Sequence, residues 1–343
     1  MLTRRLLPLL AILPCFAANV DEVVSAAMQK QRIPGAALAV LKDGRVIHAS
    51  GYGLANMEIG VPVNAETVFK IGSVSKQFIA AGILILEQDG KLSVDDLVSK
   101  HIPDVPPSWR TITLRHLLSH SAGLVRESPT FHPFRAQPDI NLIRATYNVP
   151  LDHPVGSKYQ YSNIGYFTAA EVIRRVSGRD WGEFLGERIF RPLSMNATRV
   201  TTIEEVVRNR ADSYVWTKDR YVNAPDNIAV RPSGALLSTV LDLARWDAAL
   251  NTEVPLTRQS REKMWTPVIA TGSGDATYGL GWQMGVRGGR RTIHHGGSLG
   301  GFKSHFARFP DSGYSFIVLT NLVSADPGAI LWEVADTFVP GVR

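Results

Sequence analysis

The run from Phe78 to Leu86 constrains this chain more than any other stretch. Phe78, Ile79, Ala80, Ala81, Ile83, Leu84, Ile85 and Leu86 leave no polar face on a helix. A helix apolar all round is buried on all sides. Glu87 and Gln88 close it, and Asp89-Gly90 supplies the stop. The fold must therefore wrap a core around this one helix. Between Val74 and Leu86 the only charge is Lys76. A lone ammonium there is costly unless something holds it. Ser73 stands where an N-cap serine is expected. It precedes Lys76 by three residues, so the two share a face. Burial lowers the pKa of a lysine. Such an amine can take the proton of a neighbouring hydroxyl or stabilise the alkoxide. Ser260 and Lys263 repeat the spacing, but Arg261 and Glu262 lie between them. That copy reads as a solvated helix surface.

The chain has 343 residues, 45% of them hydrophobic, enough for a large core. The net charge is +6, and the basic residues are scattered. With no dense basic run and no basic patch interleaved with aromatics, nucleic-acid binding is not expected. The N-terminus reads as a secretory signal. Arg4 and Arg5 precede the apolar run Leu6–Leu13, and Cys15-Phe16-Ala17 offers small residues for cleavage after Ala17. The run is too short to span a bilayer. Cleavage would remove Cys15, the only cysteine. The mature chain would then lack disulfides and a membrane span, and would be periplasmic or secreted. Pro14 argues against a lipoprotein signal.

Two strand-like runs, Ala36–Leu41 and Arg45–Ser50, flank Lys42-Asp43-Gly44, a hairpin signal. A helix over Asp21–Arg32 precedes them, and Gly51–Val63 reads as loop. From Leu92 to about Thr266 the pattern is mostly helix and loop, with helices at Thr113–Ser121, Ser162–Ser177, Trp181–Phe190 and Ser238–Leu250. The proline-rich stretch Val125–Pro154 reads as a lid or substrate-binding rim. Strand periods return at Tyr278–Val286, Arg291–His295, Phe302–Phe309 and Tyr314–Leu319, before a closing helix at Ile330–Phe338. The expected fold is α+β. An antiparallel sheet would be built from both chain ends (18–72 and 271–343), flanked by helices, with a mostly helical lobe (73–270) in a single domain, 18–343.

Two further motifs bear on chemistry. In Tyr161-Ser162-Asn163 the phenol can act as a general base if a nearby cation lowers its pKa. Asn163 offers an acceptor to Lys76 and donors to a substrate carbonyl. In His295-Gly296-Gly297-Ser298 the glycines let a substrate backbone approach the strand edge. The Ser298 amide is a plausible oxyanion donor beside that of Ser73, each such donor typically contributing about 3 kcal/mol in the transition state.

Ser73-Val74-Ser75-Lys76, Tyr161-Ser162-Asn163 and His295-Gly296-Gly297, in this order, resemble the serine β-lactamase and penicillin-binding-protein superfamily. The tyrosine places the chain nearest the class C β-lactamase branch, which also holds family VIII esterases, D-stereospecific peptidases and DD-carboxypeptidases. Three further stretches are similar to that branch: Thr113–Leu124, Arg191–Met195 and Ser233–Thr239. The resemblance implies that Ser73 is the acylated nucleophile, that Lys76 and Tyr161 share the proton work, and that Asn163 positions Lys76 and substrate. It also implies an oxyanion hole from the Ser73 and Ser298 amides, with His295 and Gly297 lining the substrate. It calls for no cofactor and no metal. β-Lactamases of this branch carry lysine where this chain has His295. Neutral histidine anchors a carboxylate poorly. Esterase-like or peptidase-like action on a small ester, amide or peptidoglycan-type peptide is therefore expected, with weak β-lactamase activity at most.

Other readings compete. A peptidoglycan or penicillin receptor, or a self-assembling scaffold, could use the same fold without turnover. Gly296–Gly300 fits a Gly-x-Ser-x-Gly elbow, but no histidine follows the downstream acids Asp311 and Asp326. His116 and His120 have zinc spacing, but Leu117 stands where the glutamate belongs, so they read as structural.

Overall fold

The computed structural model describes residues 13–200, 205–225 and 231–342, with side chains from Val20 onward. Residues 1–12 of the expected signal lie outside these. From Leu13 one helix runs to Gln31, starting earlier than the expected Asp21. Among the described residues no helix is long and apolar enough to cross a membrane.

Strands β1 (Gly35–Lys42) and β2 (Arg45–Asn56) form the expected hairpin, closed by the Asp43-Gly44 turn. The stretch read as loop after Ser50 instead carries the end of β2 and then β3 (Val61–Pro62). In the middle of the chain the structure adds short strands that the periodicity did not reveal. These are β4 (Phe69–Lys70), β5 (Arg199–Val200), the hairpin of β6 (Tyr214–Thr217) with β7 (Arg220–Asn223), and β8 (Leu236–Ser238). Pairing across the chain, not local pattern, makes β4, β5 and β8, with β8 between the other two.

The C-terminal strands are β9 (Ile269–Ala270), β10 (Thr277–Tyr278), β11 (Gln283–Arg287), β12 (Arg290–Leu299), β13 (Phe302–Phe309) and β14 (Tyr314–Thr320). The expected strand Tyr278–Val286 is broken at Gly279-Leu280-Gly281, where Gly279 N donates back to the Trp282 carbonyl. Nine strands make one sheet, ordered β3-β2-β1-β14-β13-β12-β11-β10-β9. The two chain ends meet where β1 runs antiparallel to β14, Ala36 opposite Thr320 and Lys42 opposite Tyr314.

β1 is buried along almost its whole length because both sheet faces are covered. Ala37, Ala39 and Leu41 face the larger core, which holds the apolar helix, here Lys76–Gln88. Ala36, Leu38 and Val40 face the second core, under the terminal helices Leu13–Gln31 and Pro327–Phe338. Every residue from Lys76 to Leu86 is buried, as its composition demands.

Candidate active site

Ser73 does not cap the helix. It sits inside a 3-10 turn, Gly72–Ser75, and Ser75 is the residue that precedes the helix, without a side-chain cap bond. The Ser73 hydroxyl is thereby free to face two other groups. Tyr161 donates its phenolic hydrogen to Ser73 Oγ at 2.7 Å, and Lys76 Nζ lies 3.2 Å from the same oxygen.

Lys76 is wholly buried. Its amine donates to Asn163 Oδ1 and to the Ser233 carbonyl, each at 2.9 Å. Burial drives its pKa well below the ordinary lysine value. Glu127 opposes that, and Arg126 and Arg231 add to it. Asn163 Oδ1 and the Ser233 carbonyl can only accept. A neutral Lys76 spends both hydrogens on them, and its lone pair faces Ser73 Oγ.

Ser162 caps the helix Asn163–Ser177 by accepting from Gly165 N at 3.2 Å, which turns Tyr161 and Asn163 toward Lys76. The condition for Tyr161 to act as a general base, a pKa lowered by a nearby cation, finds one contributor in Arg126. Burial pushes that pKa up to about 12, against the bond to Ser73 and the charge of Arg126. The lysine beside it is itself driven toward neutrality by burial. Asn163 accepts from Lys76 as anticipated, but Nδ2 donates to Glu127 Oε1 at 2.5 Å. One of the two hydrogens expected to meet a substrate carbonyl is thus committed.

His295 is buried. Its Nδ1 donates to the Gly296 carbonyl at 2.6 Å, leaving Nε2 to accept from the Tyr278 hydroxyl at 2.9 Å. Burial, then Lys76, pushes its pKa down to about 3. The ring is neutral, and both nitrogens are occupied within the protein. Its ring meets that of Tyr278 edge-on at 5.8 Å, and Tyr278 in turn lies 4.7 Å from His120, which stacks 4.3 Å from the Tyr161 ring. Gly297 presses on the nucleophile turn, where a Cβ would lie 3.0 Å from Ser73 N. A Cβ on Gly72 would collide with Ser298 N. The amides of Ser73 and Ser298 therefore belong to touching segments.

Several site residues escaped the sequence reading. Ser233 lies in a stretch already similar to the family, but its backbone carbonyl carries no sequence signal. Arg126 sits over the Tyr161 ring at 5.1 Å. Glu127 joins Asn163 to Arg231, whose Nη1 donates to Glu127 Oε1 at 3.2 Å. Arg126 and Glu127 belong to the expected rim, and only their place at its start hinted at this. His116 and His120 are structural. His116 completes a capping box with Thr113, and His120 Nδ1 accepts from Ser162 N at 3.1 Å. Ser298 lies within β12, not at a strand-to-helix elbow. Ser260 and Arg261 are buried, contrary to the solvated surface expected; Ser260 N bonds the Thr257 cap, and Arg261 donates to the Leu256 carbonyl. Among the described residues no group of three or more His, Cys, Asp or Glu is placed to hold a metal.

This fold, with a serine, a buried lysine and a tyrosine converging beside β12, is that of the beta-lactamase family. The family model matches residues 20–337, and the chain belongs to that family. Penicillin-binding protein 4* of Bacillus subtilis (strain 168) is 28% identical over 316 residues, 85% of this chain and 69% of that protein. The unguisins hydrolase ungD' of Aspergillus campestris (strain IBT 28561) is 28% identical over 334 residues, 88% of this chain and 60% of that protein. The octameric penicillin-binding protein homologue from Pyrococcus abyssi superposes with a TM-score of 0.87 at 26% identity, covering 94% of this chain and 77% of that one. The chain thus spans only part of the length of these relatives, which include a hydrolase.

Proposed function

We propose that the chain is a serine hydrolase that cleaves ester or amide bonds through an acyl-enzyme on Ser73. One observation carries the reading: Ser73 Oγ lies between the Tyr161 hydroxyl and the buried Lys76 amine, at 2.7 and 3.2 Å. Neutral Lys76 takes the Ser73 proton as Oγ bonds to the substrate carbonyl carbon. The carbonyl π electrons move onto oxygen, which the Ser73 and Ser298 amides receive. Expulsion of the leaving group breaks the ester or amide bond. The leaving group takes a proton from Tyr161, which Lys76 replaces. Water then hydrolyses the acyl-enzyme by the reverse proton route. His295, neutral and fully bonded, offers a substrate carboxylate no charge, so weak or no β-lactamase activity belongs to the same proposal. So do a small ester, amide or peptidoglycan-type peptide as substrate, a single domain from residue 18, and a periplasmic or secreted location.

The test is turnover of a short-chain p-nitrophenyl ester together with labelling by a fluorophosphonate. Wild type should do both. Ser73→Ala should do neither, while Ser260→Ala and Ser298→Ala keep most turnover, since only the Ser298 backbone is used. Wild-type protein that neither turns over nor labels would overturn the proposal.

A further inference from the structure

The proposed reaction needs a Lys76 that is neutral when Ser73 attacks and able to hold the proton afterwards. The groups around its amine set that balance. The Tyr161 and Tyr166 rings lie 4.8 and 5.2 Å from Nζ, and burial keeps both phenols protonated. His120 and His295 approach from the segment after helix Leu114–Leu118 and from β12, and burial keeps both neutral. The formal charges acting on the amine come from Arg126, Arg231 and one carboxylate, Glu127.

Glu127 is bonded into the site rather than merely near it. Its Oε1 accepts from Asn163 Nδ2 and from Arg231 Nη1, while its Oε2 is buried without a hydrogen-bond partner. An asparagine amide fits its slot in either of two orientations, and its neighbours choose between them. A carboxylate only accepts. Its bond to Nδ2 therefore decides that Oδ1, not the amide nitrogen, meets Lys76. Arg231 closes the loop. Its guanidinium sits 3.8 Å over the Phe131 ring. Its carbonyl accepts from Gly234 N and Ala235 N at 2.9 and 2.7 Å. That turn contains Ser233, the second acceptor for Lys76.

We propose that Glu127, bridged to Arg231, is a positioning residue for Lys76: it fixes the Asn163 acceptor and balances the charge at the amine. The proposal rests on the serine hydrolase reading above. It predicts opposite effects from two neighbouring changes. Glu127→Gln removes the charge that favours the ammonium, so Lys76 loses its proton at lower pH. Arg231→Gln removes a cation that disfavours it and leaves Glu127 uncompensated, so Lys76 keeps its proton to higher pH.

The experiment is the pH dependence of kcat/KM for an uncharged p-nitrophenyl ester, whose acid limb reports the free enzyme's base. Relative to wild type, the limb should move down by about one pH unit in Glu127→Gln and up by about one in Arg231→Gln. The double variant should fall between them. A merely structural role would change the rate without moving the limb in opposite directions. Limbs that stay put, or move the same way, overturn the proposal. If Glu127→Gln does not fold, the upward shift in Arg231→Gln decides it alone. Wild-type turnover and Ser73 labelling, run alongside, separate failure of this inference from failure of the serine hydrolase reading.

Discussion

Gly297 lies so close to Ile71 that a Cβ would collide with the Ile71 carbonyl oxygen and with the Ser304 hydroxyl that donates to it at 2.7 Å. This contact locks β12 to the turn that carries Ser73. It is a reason for glycine that involves no substrate. Gly297→Ala must push the strand from the turn and separate the Ser73 and Ser298 amides. Overpacking of this kind costs about 1–3 kcal/mol, and loss of a donor from the oxyanion site costs about a hundredfold in rate or more. Thermal melts and ester turnover should show both losses. Gly285→Ala, where the nearest atom to a new Cβ is 3.7 Å away, should show neither. A fully active Gly297→Ala would mean that the two amides do not act together.

The Tyr161 phenol, with its pKa pushed up to about 12 by burial, keeps its hydrogen throughout the neutral range. On the mechanism proposed above it enters the reaction as a donor to Ser73 and as a proton relay, not as the group that first deprotonates the serine. Tyr161→Phe should therefore lower kcat/KM by about 10²–10⁴ and leave the acid limb of its pH profile where wild type has it. A limb that moves or vanishes in Tyr161→Phe would make the phenol the first base instead.

What the sequence disclosed depended on how local each cause was. The helix Lys76–Gln88 was legible because apolar residues on every face admit one environment. The hairpin of β1 and β2 was legible from its turn, and β13 from its strand period, which runs over the observed Phe302–Phe309. β4, β5 and β8 are two or three residues long, too short for any period to show, and exist through pairing with distant segments. The misplacement of Ser73 at a cap has a similar origin: contact with Gly297, more than two hundred residues away, sets its turn. Glu127 and Arg231 were unreadable because charged residues in loops normally face water, and their partners here are Asn163 and each other. Whether a cation could outweigh burial at Tyr161 was not legible either, because the burial that raises its pKa and lowers that of Lys76 exists only in the assembled core.

On the other face of β12, away from His295, His294 stacks on His305 of β13 with ring centroids 5.3 Å apart and planes 12° from parallel. Both rings meet Trp332 of helix Pro327–Phe338 edge-on. His294 Nδ1 and His305 Nε2 are buried without hydrogen-bond partners. Burial, with Arg287 adding to it, pushes His294 down to about 4; burial, then His294, holds His305 well below its ordinary value. Folded protein therefore binds fewer protons than unfolded protein below about pH 6.5. Stability is fully present above that pH and is lost as pH falls through 6.5 toward 4. Melting temperature should be nearly flat from pH 8 to 7 and fall steadily below 6.5. His305→Phe, which removes one of the two rings that must stay neutral, should flatten the decline. An unchanged melting temperature between pH 7 and 4.5 would contradict this account of the pair.

The last prediction concerns His295, where β-lactamases of the resembling branch carry a lysine. The obvious change, His295→Lys, should not create a β-lactamase. The imidazole bonds Tyr278 and the Gly296 carbonyl from a buried slot within electrostatic range of Lys76. An ammonium there would lose the acceptor that meets the Tyr278 hydroxyl. It would be buried without a carboxylate partner, at a cost of about 3 kcal/mol or more. It would also press Lys76 further from its protonated form. We expect His295→Lys to melt well below wild type, to lose ester turnover, and to gain no hydrolysis of a chromogenic cephalosporin over wild type. Efficient cephalosporin hydrolysis by the variant would show instead that position 295 opens to the substrate and that charge alone separates this chain from the β-lactamases of the branch it resembles.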